Sequence, residues 1–222
     1  MTYWRALILT FLLLAGEPLV AGAWLRPEGE AFLSTAARFS WPKDLSRMVS
    51  KDPHGRYHSL YFEYGLTERY TLGLDLGRSG TGGGKAIVFL RHPLRDRESG
   101  LRIAAELGLG RIDDAPVLRP GLSLGLGLEN GWLSAEGLME YSAVTGLADY
   151  KLDLTRGLKF DNGRMLILQL QTGFPAGKPG YARLAPSLVF PLAPGLKAEV
   201  GGAWGLTGDE SMGVMLGLWA EF

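Results

Sequence analysis

Apolar residues alternate with polar or small ones along most of this chain. Over residues 101–110, leucine, isoleucine and alanine occupy every second position, and arginine, alanine, glutamate and glycine lie between them. Segments 70–77 and 122–128 repeat the pattern. A period of two is that of a β-strand whose two faces meet different surroundings, whereas a helix needs apolar spacings of three and four. The alternation therefore predicts an all-β fold in which each strand has one apolar face.

Extending these runs outward gives a complete set of candidate strands. They lie near residues 29–41, 57–66, 70–78, 85–92, 100–110, 120–129, 132–141, 149–158, 164–174, 181–190, 196–205 and 211–222. Short turns alternate with longer loops such as 42–56, 79–84 and 111–119. We predict a transmembrane, antiparallel, up-and-down β-barrel of about twelve strands. A water-soluble β-sandwich is the alternative, because its strands alternate as well.

The N-terminus has the order of a secretory signal peptide. Arg5 precedes an apolar run over residues 6–15, and the turn formers at 16–18 are followed by the small residues at 21–23. A membrane-anchoring helix is the alternative, but the run is shorter than the roughly 20 apolar residues that a span needs. We therefore predict a signal peptide over residues 1–23, cleaved after Ala23, and a single barrel domain over 24–222.

Composition excludes several classes of protein. Lysine and arginine total 23, as do aspartate and glutamate, so no basic excess favours nucleic acid. There is no cysteine, and the fold must therefore stand without disulfides. The 32 glycines suit a barrel wall whose inner face must stay small, although strand twist and close backbone approach would explain them equally well.

In each strand, the residues that alternate with the apolar ones are predicted to form the inner wall of the barrel. Charged side chains can lie inside a barrel only where they meet water or a partner. The predicted lumen-lining residues carry both signs and two amides: Glu30, Arg38, Glu63, Asp75, Arg91, Arg102, Glu106, Glu136, Lys151, Asp153, Gln169, Gln171, Arg183, Lys197 and Glu199. This mixture fits either a wet channel or a lumen closed by ion pairs.

No catalytic constellation is recognisable. A lipid hydrolase needs a nucleophilic serine with a histidine base, and the chain has only His54, His58 and His92. Ser59 directly follows His58, and adjacent strand residues point to opposite faces. We predict no catalytic residue, no metal site and no cofactor.

The C-terminus and two internal phrases resemble known families. Residues 216–222 alternate and end on Phe222, which resembles the C-terminal signature strand of bacterial outer-membrane barrels. Residues 61–73 resemble the "strand, Gly-Leu-Thr, strand" hairpin of uncharacterised proteobacterial outer-membrane barrels, some of them named after aromatic-degradation gene clusters, and residues 23–30 resemble their mature start. The resemblance implies the outer membrane of a Gram-negative bacterium and gives Phe222 the role of assembly signal. It also implies membrane lipids, the barrel-assembly machinery and periplasmic chaperones as partners.

These features favour a passive conduit for small polar or aromatic solutes. A closed structural or assembly-related barrel without a pore is the first alternative, since paired charges and a wet channel use the same residue types. A lipid-modifying enzyme is the second.

Overall fold

The computed structural model describes residues 22–44, 46, 50–96 and 100–222. The predicted signal peptide therefore lies almost entirely outside the described residues. Twelve strands follow one another along the chain: β1 (Ala31–Pro42), β2 (Gly55–Thr67), β3 (Tyr70–Ser79), β4 (Gly84–Arg95), β5 (Leu101–Ile112), β6 (Ala115–Leu128), β7 (Gly131–Ser142), β8 (Ala148–Lys159), β9 (Met165–Phe174), β10 (Tyr181–Ala193), β11 (Leu196–Thr207) and β12 (Ser211–Glu221).

The strands form one closed antiparallel barrel. Each strand pairs with its neighbours in sequence, and β1 pairs with β12 from Phe32↔Glu221 to Pro42↔Ser211. Closure leaves no unpaired sheet edge, which a barrel in lipid requires. The predicted all-β, up-and-down barrel and its strand number are confirmed. We call the end that carries the start of β1 and the end of β12 the terminal rim, and the other end the opposite rim.

The outer face carries a band of exposed apolar side chains. Leu107, Leu109 and Val88 are more than half exposed although they lie in the middle of paired strands. Their side chains point away from the lumen, because they alternate along β4 and β5 with the buried residues Phe89 and Glu106. A band of exposed apolar side chains is unfavourable in water but matches the hydrocarbon region of a membrane. No helix among the described residues is long and apolar enough to span a bilayer.

Two connections differ from the prediction. Residues 111–119 were expected to form an outer loop, but β5 and β6 are joined by a two-residue turn at Asp113 and Asp114, whose φ angles are +46° and +67°. Positive φ at both central residues is the geometry of a type I′ hairpin, which matches the twist of the flanking strands. Likewise β4 was predicted to end near residue 92, but it continues past Pro93 through a bulge to Arg95.

The chain ahead of β1 folds back inside the barrel at the terminal rim. This N-terminal segment, Gly22 to Glu30, is held by a bridge between Glu28 and Gly65 of β2 and by a hydrogen bond from the Arg26 backbone N to Thr71 Oγ1 at 2.9 Å. Ala23 is buried, and Trp24 packs over the inner face of β6 at Gly125. The N-terminal segment therefore narrows the opening of the barrel at the terminal rim.

Candidate functional site

Nearly all the polar residues that the strand alternation predicts for the inner wall face the lumen. Registers of neighbouring strands put the predicted residues on the inner face, as in the pairs Arg91↔Glu106 and Glu136↔Asp153. Glu30 is the exception, because β1 begins one residue later and Glu30 is exposed ahead of it. The inner face therefore offers a charged surface to whatever the barrel contains.

One half of the inner wall carries a continuous ion-pair network, which we call the ionic wall: Glu63, Asp75, Lys85, Arg91, Glu106 and Arg119. Arg91 donates to Glu63 Oε1 at 2.5 Å and to Glu106 Oε2 at 3.0 Å. Arg119 donates to Glu106 Oε1 at 2.9 Å and to Asp75 Oδ2 at 2.6 Å. Each buried charge thus has at least one partner of opposite sign, as burial demands.

Arg119 is, beside Arg91, the second arginine that joins two carboxylates of this network, and the sequence prediction missed it. Its side chain is 2% exposed and its guanidinium lies 5.4 Å from the centroid of the Phe89 ring. The Arg91 guanidinium lies 5.2 Å from the same ring. Lys85, also missed, donates to Asp75 at 2.6 Å. The strand alternation of Val117, Arg119, Gly121 and Ser123 was the signal that could have placed Arg119 inward.

Other lumenal ion pairs also connect near neighbours along the wall. Lys151 contacts Glu140 at 2.7 Å across β7 and β8, and Lys197 contacts Glu221 at 2.8 Å across β11 and β12. Arg183 contacts Asp209 at 2.9 Å at the opposite rim. Between described residues, no ion pair joins β2–β6 to the facing strands β8–β12. The charges line the lumen and do not bridge it.

Glycines let aromatic rings lie flat against the same wall. A Cβ on Gly73 would meet the Phe89 ring at 1.9 Å, and one on Gly157 would meet the Trp132 ring at 2.3 Å. Tyr181 covers Gly173 in the same way. The space that inward glycines leave is therefore taken by rings along the wall, which keeps those rings out of the axis.

A cavity of about 300 Å³ remains inside the barrel, between the N-terminal segment and strands β7 to β12, β1 and β2. Its lining is mixed: amides of Gln169 and Gln171, carboxylates of Glu136 and Glu199, and the rings of Trp132 and Trp219. Glu199 accepts hydrogen bonds from Ser187 Oγ at 2.6 Å and from Trp219 Nε1 at 3.0 Å. A pocket of this kind suits a small solute with both polar and apolar parts.

No hydrolytic pair forms at the histidine that the sequence made a candidate. His58 faces outward and Ser59 inward, since Ser59 Oγ accepts a hydrogen bond from Arg38 Nη1 at 2.8 Å inside the barrel. Their side chains therefore lie on opposite sides of β2. Among the described residues, no three histidine or acidic side chains converge as a metal site would.

Known structures share this fold at low sequence identity. No family model matches the sequence, and no curated protein matches it. The NanC porin aligns with a TM-score of 0.66 and 9% identity, over 84% of this chain and 98% of that chain. The KdgM porin, in a structure with a disordered oligogalacturonate, aligns with a TM-score of 0.66 and 10% identity, over 85% of this chain and 99% of that chain.

A third structure covers more of the chain. An outer-membrane channel from Pseudomonas putida F1 aligns with a TM-score of 0.64 and 13% identity, over 93% of this chain and all of that chain. All three proteins are channels with outer-membrane barrels. Identities this low show the fold alone, and the fold of this chain is that of an outer-membrane β-barrel.

Proposed function

We propose that this protein is a passive conduit for small solutes in the outer membrane of a Gram-negative bacterium. The observation that carries the proposal is the direction of the lumenal ion pairs, which run along the wall and leave the facing half of the barrel unbridged. A structural barrel closed by its own charges would connect opposite strands. The proposal names no cofactor and no covalent step.

The lining of the cavity supports solutes that are small and partly polar. Gln169 and Gln171 offer amide groups, and Trp132 and Trp219 offer aromatic surface, within about 300 Å³. The resemblance of residues 61–73 to barrels named after aromatic-degradation clusters adds support for aromatic compounds among the cargo. The fold shared with known porins supports passive passage.

Planar bilayers containing the purified protein test the conduit. We expect reproducible conductance steps, and we expect them to shrink when Gln169 is replaced by tryptophan, because Gln169 lines the cavity. The neighbouring Leu168→Trp is the matched control, since Leu168 lies on the same strand and faces lipid. Steps that respond equally to both variants would contradict a path through this lumen.

The closed barrel is the competing function, and the N-terminal segment is the feature that favours it. Arg26 of that segment contacts Glu63 at 2.8 Å, while Gly22 lies against Glu136 of β7, so the segment crosses part of the lumen at the terminal rim. Silent bilayers, with protein shown to be folded by heat-modifiable gel mobility, would favour a structural barrel.

We also propose a signal peptide over residues 1–23 and recognition of Phe222 by the barrel-assembly machinery. The order of charge, apolar run and small residues supports the first, and the terminal aromatic strand supports the second. N-terminal sequencing of the protein from outer membranes should begin at Trp24. A chain that retains its first 23 residues would contradict the signal peptide.

A further inference from the structure

Two pairs of carboxylates face each other directly across β7 and β8. The register sets Glu136 opposite Asp153 and Glu140 opposite Asp149, all on the inner face. Like charges directly opposite on neighbouring strands destabilise a sheet. In the ionic wall, by contrast, the direct pair Arg91↔Glu106 carries opposite signs. We name Glu136, Glu140, Asp149 and Asp153 the acidic lane.

The acidic lane is only partly compensated by the rest of the chain. Lys151 contacts Glu140 Oε2 at 2.7 Å, and Asp149 accepts a hydrogen bond from the Ala176 backbone N at 2.7 Å. Glu140 Oε1 has no hydrogen-bond partner although the side chain is only 6% exposed. Among the described residues, Glu136 and Asp153 make no ion pair. A buried carboxylate oxygen without a donor is an acceptor that a ligand could satisfy.

The charge left over around the cavity is net negative. The ionic wall and the pair Lys197–Glu221 cancel their own charges. Around the cavity, the three acids Glu136, Glu199 and Asp153 remain against the two cations Arg26 and Arg38, of which Arg26 shares Glu63 with Arg91. A net fixed charge on the wall of a narrow pore raises the local concentration of ions of the opposite sign.

We propose that the acidic lane makes the conduit selective for cations and that its solutes are small ammonium compounds. This inference rests on the proposed conduit. Aromatic rings in the lumen already accept the chain's own cations, as Arg26 does over Phe32 at 4.7 Å. Phe32, Trp132 and Trp219 line the same cavity as Glu136. Carboxylates beside aromatic faces are the surroundings that ammonium groups prefer.

Reversal potentials in a KCl gradient across planar bilayers test the inference. We expect the wild-type conduit to pass K⁺ in preference to Cl⁻, and tetramethylammonium to carry current when it replaces K⁺. In the double variant Glu136→Gln and Asp153→Asn, the cation-to-anion permeability ratio should fall toward one. The variant removes a repulsive pair, so it should fold at least as well as the wild type, which heat-modifiable mobility checks.

The matched control removes a lumenal pair without changing the net charge. Lys197→Gln with Glu221→Gln deletes an ion pair of 2.8 Å on the inner face and should leave the permeability ratio unchanged. An anion-selective wild type, or an acidic-lane variant as selective as the wild type, would overturn the inference and leave the conduit intact. If the protein and all its variants gave no conductance, both the proposed conduit and its selectivity would be wrong.

Discussion

Buried charges in this barrel depend on individual contacts. The Arg119 guanidinium holds two carboxylates from different strands, Asp75 and Glu106, and lies against the Phe89 ring. A buried ion pair gains little over an apolar replacement of the whole set, but removing one partner leaves the others unpaired in a poorly solvated place. The ionic wall is therefore sensitive at Arg91 and Arg119, each of which contacts two carboxylates.

Replacing Arg119 by methionine should destabilise the barrel by about 3 kcal/mol, because it leaves Asp75 and Glu106 with fewer donors. The measurement is the urea midpoint for loss of the heat-modifiable folded band. Arg95→Met is the control, since Arg95 also lies in the barrel wall but is exposed and outside the ionic wall. Equal midpoints for the two variants would show that the Arg119 contacts contribute little.

A single strand shows how the two faces divide the wall. In β6, Leu118 and Leu122 point to the apolar exterior, while Arg119, Gly121 and Ser123 point inward. An inward charge on β6, such as Arg119, finds carboxylate partners in the lumen. A charge on the outward face of β6 has no such partners. The face of a residue therefore decides the effect of a substitution.

Leu122→Arg should cost roughly 2–4 kcal/mol, the range for arginine on the lipid face near the bilayer midplane. Leu122 lies at the centre of β6 and is 47% exposed. Unfolding in lipid vesicles measures the change. Glu129→Arg, in the exposed turn after β6, is the control and should unfold like the wild type. A midplane arginine without cost would mean that Leu122 does not face lipid.

The N-terminal segment depends on a close approach to β2. A Cβ on Gly65 would lie 1.9 Å from the Pro27 carbonyl oxygen, so Gly65→Ala should displace the segment. The chain has no cysteine, and Trp24→Cys therefore reports the segment by its rate of reaction with a water-soluble maleimide. We expect faster labelling in Gly65→Ala. Gly127→Ala, where a Cβ meets nothing within 4 Å, should label at the original rate.

At the scale of the whole molecule, the sequence predicts the barrel because lipid and lumen impose a period of two on every strand. It does not predict Arg119, since Pro116 and Pro120 flank it and the turn at Asp113 is shorter than the loop expected there. Nor does parity tell which inward charges meet, because ion pairs such as Arg119–Asp75 join strands that are not adjacent. The N-terminal segment has no alternation, and its place is set by contacts with Gly65 and Gly125.

The backbone pairing that closes the barrel ends at Phe222. A substitution at this residue can distinguish an effect on assembly from an effect on stability. The Phe222 backbone N donates to Ala31 O at 3.0 Å, and its carbonyl accepts from Ala31 N at 2.6 Å, so these bonds survive loss of the side chain. The ring itself is exposed. Phe222→Ala should therefore leave the urea midpoint of refolded protein unchanged but reduce the folded band recovered from outer membranes. Phe160→Ala, in an exposed turn, is the matched control for loss of an exposed ring. Full recovery of Phe222→Ala from membranes would contradict the proposed role of this ring as an assembly signal.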